Sequence, residues 1–78
     1  MRVLLFASYA DALGAPAVDV DLPAGSTVRD LVDAVRAMPG AERVPPQPLV
    51  AVNLAYARAD RVLTAHDEVA LIPPVAGG

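Results

Sequence analysis

Apolar and polar positions follow a strand-like period at both ends of this chain and a helical one between them. Residues 2–8 are a run of β-favouring apolar side chains with no helical repeat, which predicts a first strand buried on at least one face. Residues 9–14 read as a turn, or one short helical turn closed by Gly14. Residues 17–22 then alternate strictly, with Val18, Val20 and Leu22 on one face and Asp19 and Asp21 on the other, as in a half-exposed strand hairpinned to the first. After the breaker Pro23-Ala24-Gly25, Thr27-Val28-Arg29-Asp30 matches a capping box: the Thr27 hydroxyl accepts from the Asp30 amide and the Asp30 carboxylate reaches back. Val28, Leu31, Val32, Val35 and Met38 form one apolar stripe, Arg29, Asp30, Asp33 and Arg36 face water, and Pro39-Gly40 stops the helix.

The prolines at 45, 46 and 48 make residues 41–48 a loop, with a short turn near Glu42. Residues 49–53 predict a third strand, ending at Asn53, which tolerates the positive φ of a turn. A short strand at 55–57 follows, then a connection in which Val62 and Leu63 plug the end of the core. A turn at His66-Asp67 leads into a last strand over 68–72. The first and last strands are the most apolar, and near-continuous apolar runs belong to covered parallel strands, so these two are expected side by side at the centre of the sheet. The predicted class is α+β with a β-grasp arrangement: a mixed sheet of about four to five strands with one main helix packed on one face.

One helix covers one face only. If Val3, Leu5, Val69 and Leu71 point at it, then Leu4, Phe6, Ala70 and Ile72 point away. A chain this small has nothing left to cover them, which marks Phe6 and Ile72, with Tyr56 extending the patch, as a candidate partner interface. The alternative is that strand twist or the 41–48 loop buries these side chains.

Composition narrows the chemistry. Seventy-eight residues allow one domain, and 55% hydrophobic against 19% charged residues is ample for a core. The absence of cysteine excludes a disulfide scaffold, a cysteine-ligated metal and a thiol nucleophile, and no metal site is expected. A net charge of -3, with six scattered arginines and no lysine, gives no basic stripe for nucleic acid. The opening apolar run is interrupted at Asp11 and reads as a strand, not a secretory signal. Residues 44–57, the longest uncharged stretch, are too short and proline-broken to span a bilayer. No nucleic-acid or membrane partner is therefore expected, and the expected location is the cytoplasm.

His66 is a lone histidine in a polar turn and reads as an ordinary solvated side chain. Asp67 and Glu68 are neighbours on an extended segment, point to opposite faces and cannot share one substrate; they serve better to cap the turn or to meet a partner's arginine. Only the end of the chain looks reactive. There the apolar strand passes through Pro73-Pro74-Val75-Ala76 to Gly77-Gly78. Two glycines make the slimmest peptide that can thread a tunnel and present a terminal carboxylate, while the prolines stiffen the exit and reduce the entropy lost on insertion. The expected organisation is a domain over 1–73 and an extended, flexible tail over 74–78.

Val3-Leu4-Leu5-Phe6-Ala7, Thr27-Val28-Arg29-Asp30-Leu31, Ala51-Val52-Asn53 and above all the closing run from Asp67 to Gly78 are landmarks spread over the whole chain. With these the sequence resembles the MoaD-like small subunits of molybdopterin synthase, within the ubiquitin-like sulfur carriers. It departs from them at Tyr9-Ala10-Asp11, where a Leu-Arg-Glu-like segment is usual, at His66, usually glycine, and at Ala76, usually Ser or Thr. The resemblance implies a carrier that binds no cofactor itself and is not an enzyme on its own. A ubiquitin-activating-like adenylyltransferase uses ATP to adenylate the Gly78 carboxylate, and a sulfur donor converts it to a thiocarboxylate. The tail, residues 73–78, then enters a larger synthase subunit, in an expected heterotetramer, and donates sulfur to a cyclic pterin precursor; the catalytic side chains belong to that subunit. Two other readings stay open: a carrier for thiazole, cysteine or transfer-RNA thiolation, and a protein modifier joined to target lysines through Gly78. The Pro-Pro-Val run favours the first reading, since thiazole carriers tend to lack the proline pair.

Overall fold

Alternation at the chain's start becomes a hairpin around which the other elements assemble. In the computed structural model, which describes residues 1–74, β1 (Arg2–Leu5) pairs antiparallel with β2 (Ala17–Asp19), Val3 opposite Val18. The ladder continues past β2: the Val20 amide donates to the Met1 carbonyl at 2.9 Å and the Met1 amine donates to the Val20 carbonyl at 2.7 Å. Val20 is accordingly buried, Val18 and Leu22 are half-buried, and Asp19 and Asp21 are exposed, as the alternation requires.

Between the two strands lies α1 (Ala7–Leu13), two turns of helix where the sequence announces at most one, so the first strand ends at Leu5 and not at Ser8. Nothing in the sequence signals its start. The residue before it, Phe6, makes no side-chain cap. The helix is held instead by burial of Tyr9, with Ala10 and Leu13 packed against the core, and Gly14 ends it in the left-handed conformation with its amide donating to the Ala10 carbonyl.

Helix α2 (Val28–Arg36) carries the predicted capping box: the Thr27 amide donates to Asp30 at 2.9 Å and the Asp30 amide to Thr27 Oγ1 at 3.3 Å. Val28, Leu31, Val32 and Val35 are buried and Met38 is half-buried beyond its end, so the stripe reads as expected. The chain turns at Gly40 (φ +88) into a single 3-10 turn, Ala41–Arg43, near Glu42. A Cβ at Gly40 would lie 2.6 Å from the Ala12 carbonyl oxygen, so only glycine allows α1 and the end of α2 this close approach.

The remaining strands are β3 (Leu49–Val52), β4 (Ala55–Tyr56) and β5 (Val69–Ile72), and the sheet order is β2-β1-β5-β3-β4. β1 and β5 are parallel and adjacent, with Val3 beside Val69 and Leu5 beside Leu71, while β3 pairs antiparallel with both β5 and β4. This is the expected β-grasp sheet. Val3, Val52, Val69 and Leu71 are fully enclosed and share one core with Leu31 and Val35 of α2. The plug expected from Val62 and Leu63 is Leu63 alone. Leu63 is buried, its amide donating to the Ser26 carbonyl at 2.8 Å, whereas Val62, bridged to Thr27, is exposed, because adjacent extended residues point to opposite sides. No helix among the described residues is long and apolar enough to cross a membrane.

Candidate functional site: the outer sheet face and the exit of β5

Strand register decides which side chains the helices leave uncovered. Leu4 lies opposite Ala70, Ala70 opposite Ala51, Ile72 opposite Leu49 and Tyr56 opposite Ala51, so all of these share the face turned away from α2. Phe6 follows β1 on the same side and is 48% exposed; Tyr56 is 72% exposed, and Ile72 and Leu4 are half-buried. The three candidate interface residues, Phe6, Tyr56 and Ile72, line one shallow groove of about 310 Å³ whose floor is Leu4, Ala51 and Ala70. Neither strand twist nor the 41–48 loop covers it.

Parity missed two members of this face. Leu49, 47% exposed, is two residues from Ala51 on β3 and was findable by counting outward from the buried Val50. Leu54, 91% exposed, sits in the connection between β3 and β4, where residue type alone argues for burial. Three larger clefts lie elsewhere. One of about 500 Å³ runs between α2 and residues 46–48, one of about 580 Å³ lies beside Met1, Leu22 and Leu63, and one of about 370 Å³ lies beside Arg2, His66 and Glu68. None adjoins the outgoing end of β5.

The outer face reaches the end of the described residues. Ile72 ends β5, Pro73 is half-buried and Pro74 exposed. Val75, Ala76, Gly77 and Gly78, the rest of the predicted tail, lie outside the described residues. Among the described residues no three His, Asp or Glu side chains gather as a metal site.

Where β5 begins, a polar network fixes the approach of the chain. The Asp67 carboxylate accepts from the Thr64 amide and from Asn53 Nδ2, both at 2.8 Å, and stands 3.9 Å from Arg61. Asn53 Oδ1 in turn accepts from the Glu68 amide at 2.9 Å. Asp67 thus caps the turn, as one of its two expected roles required, and forms no acid/base pair with Glu68; His66 is exposed beside it. The Thr64 amide first, then Asn53 and Arg61, hold the Asp67 carboxyl below its ordinary pKa. A carboxyl depressed by folding stabilises the fold above its unfolded pKa and loses that contribution as pH falls through the folded value. Thermal melts are therefore expected to lose an acid-sensitive increment below about pH 4, and Asp67→Asn should flatten that limb. Superimposable pH profiles for the two proteins would refute the assignment.

Comparison with known proteins agrees with this architecture from end to end. A "Molybdopterin synthase sulfur carrier subunit" of Arabidopsis thaliana is 34% identical over 79 residues, covering 100% of this chain and 82% of the relative. One of the same name from Dictyostelium discoideum is 33% identical over 81 residues, covering 99% and 94%. Among solved structures, small archaeal modifier protein 1 of Haloferax volcanii superposes with a TM-score of 0.81 at 34% identity, covering 95% of each chain. The ThiS family matches residues 3–78, all but the first residue of the sheet, both helices and the Gly-Gly end together, and the chain belongs to that family.

Proposed function

We propose that this chain is the sulfur carrier subunit of a molybdopterin synthase, acting in the cytoplasm. The observation that carries the reading is the end-to-end match to two relatives of that name, which spans the β5 strand and the Gly77-Gly78 terminus that would do the work.

Carriage of sulfur uses the Gly78 carboxylate, since the chain has no thiol. A ubiquitin-activating-like partner transfers AMP from ATP to that carboxylate and releases pyrophosphate, which turns a poor electrophile into a good one. A sulfur donor then displaces AMP and leaves a thiocarboxylate. In the large subunit the sulfur passes to the cyclic pterin precursor and oxygen from water restores the carboxylate. This chain supplies reach, slenderness and aim: Gly77 and Ala76 fit a narrow channel, Val75 and the stiff Pro73-Pro74 pair lead into it, and Phe6, Tyr56 and Ile72 dock against the large subunit. On this reading the general acid and base groups belong to the partner.

A second reading, protein modification through Gly78, is favoured by the 34% identity to small archaeal modifier protein 1. One experiment separates the two. The protein is incubated with the activating enzyme, ATP and a sulfur donor, its intact mass is recorded, and the product is offered to the large subunit with pterin precursor. A sulfur-for-oxygen mass gain followed by dithiolene formation is expected. No mass gain rejects sulfur carriage, a gain without dithiolene assigns another thiolation pathway, and high-mass conjugates in lysate assign the modifier.

A further inference from the structure

Ala7, Asn53 and Leu54 are the non-glycine residues with positive φ among the described residues, and all three border the outer face: Ala7 follows Phe6, and Asn53-Leu54 turn β3 into β4. With φ values of 53° and 70°, this two-residue turn is of the kind that favours Asn followed by Gly. Leucine in the second position carries a steric cost that glycine does not. Its side chain is 91% exposed, so no burial within the chain offsets that cost. The turn is nonetheless firmly held: besides the Asn53 side-chain bonds to Asp67 and Glu68, the Asn53 amide donates to the Glu68 carbonyl at 2.8 Å. A fastened turn that forces an apolar side chain into water at the rim of an apolar groove is strain kept for a contact outside the chain.

We propose that Leu54 is a docking anchor for the large synthase subunit, at the end of the outer face remote from the tail. The inference rests on the function proposed above. The occupant follows from continuity: the groove runs without a break from Phe6 and Ile72 at the tail exit, over Ala70 and Ala51, to Tyr56 and Leu54. A partner that swallows the tail is seated at Ile72, and covering the contiguous face as far as Glu68 extends its footprint back by about 13 Å along β5.

The test uses the whole chain, titrated against the cognate large subunit, with thermal melts alongside. Leu54→Gly is expected to raise the melting temperature by roughly 4 °C, by relieving the left-handed leucine, and to weaken binding about tenfold. Leu54→Asn, which tolerates the same backbone, should weaken binding similarly, and Leu54→Met should bind like the natural chain. Unchanged affinity in both the Gly and Asn variants overturns the anchor. A fall in melting temperature for Leu54→Gly overturns the strain argument. Failure of the natural chain to bind the large subunit rejects the function reading itself. A homodimer of the free chain that Leu54→Asn dissolves would assign the face to a second copy and overturn the proposal.

Discussion

Deleting Gly78 alone is expected to abolish sulfur transfer while moving the melting temperature by less than about 4 °C. Among the described residues the buried core runs from Val3 to Leu71, and β5 is paired on both edges by β1 and β3. Removing one terminal residue takes nothing from that core. It does shorten the chain's reach by up to about 3.5 Å, the span of one residue, and reacting groups displaced by even 1 Å lose on the order of 100-fold in rate. Intact-mass analysis after activation, dithiolene formation with the large subunit and a thermal melt together test this. Transfer that survives the deletion would show that the carrier atom is elsewhere, and a large loss of stability would make the tail a structural element.

Substituting Leu71 by Ala should have the largest effect on folding. Leu71 is fully enclosed, lies beside Leu5 on one neighbouring strand and opposite Val50 on the other, and sits on the central strand of the sheet within the core. Truncating such a leucine costs about 2–5 kcal/mol, through lost transfer free energy and the cavity left behind. A domain of this size holds roughly 4–12 kcal/mol in total, so the melting temperature should fall by about 10 °C or more. The neighbouring Ile72→Ala is expected to behave oppositely. Ile72 is half-buried on the outer face, so its loss should change stability little and weaken binding to the large subunit by about tenfold. If the two substitutions exchanged phenotypes, the assignment of inner and outer faces would be reversed.

Much of this was legible without coordinates, for identifiable reasons. Where local chemistry suffices, the sequence reads cleanly: the Thr27-Asp30 capping box, the Val28 to Val35 stripe, the Asn53 turn and the alternation through Val18 and Val20 all appear where the pattern puts them. Helix α1 was under-read because Phe6 provides no cap and seven residues carry too weak a period. The segment is helical because Tyr9 finds a place in the core, and only tertiary packing supplies that stabilisation. Tyr9 also gives a physical sense to the departure from the usual Leu-Arg-Glu-like segment, since the position is one of burial.

The candidate site divides along the same line. The Gly77-Gly78 pair is a property of the sequence alone, so the proposed site could be read from composition: the chain has no thiol, and neither glycine carries a side chain. The parity of β1 and β5, also local, assigns Phe6 and Ile72 to the outer face. Joining them to Leu54 and Tyr56 in one groove required the strand order β2-β1-β5-β3-β4 and its registers, which bring together residues far apart in sequence through backbone hydrogen bonds that no local pattern encodes. The sequence by itself determined the strand pattern and the Gly77-Gly78 end to which the proposed sulfur carriage is assigned. Only the tertiary structure decided what surrounds β5, because a side chain's exposure depends on what the rest of the chain places over it.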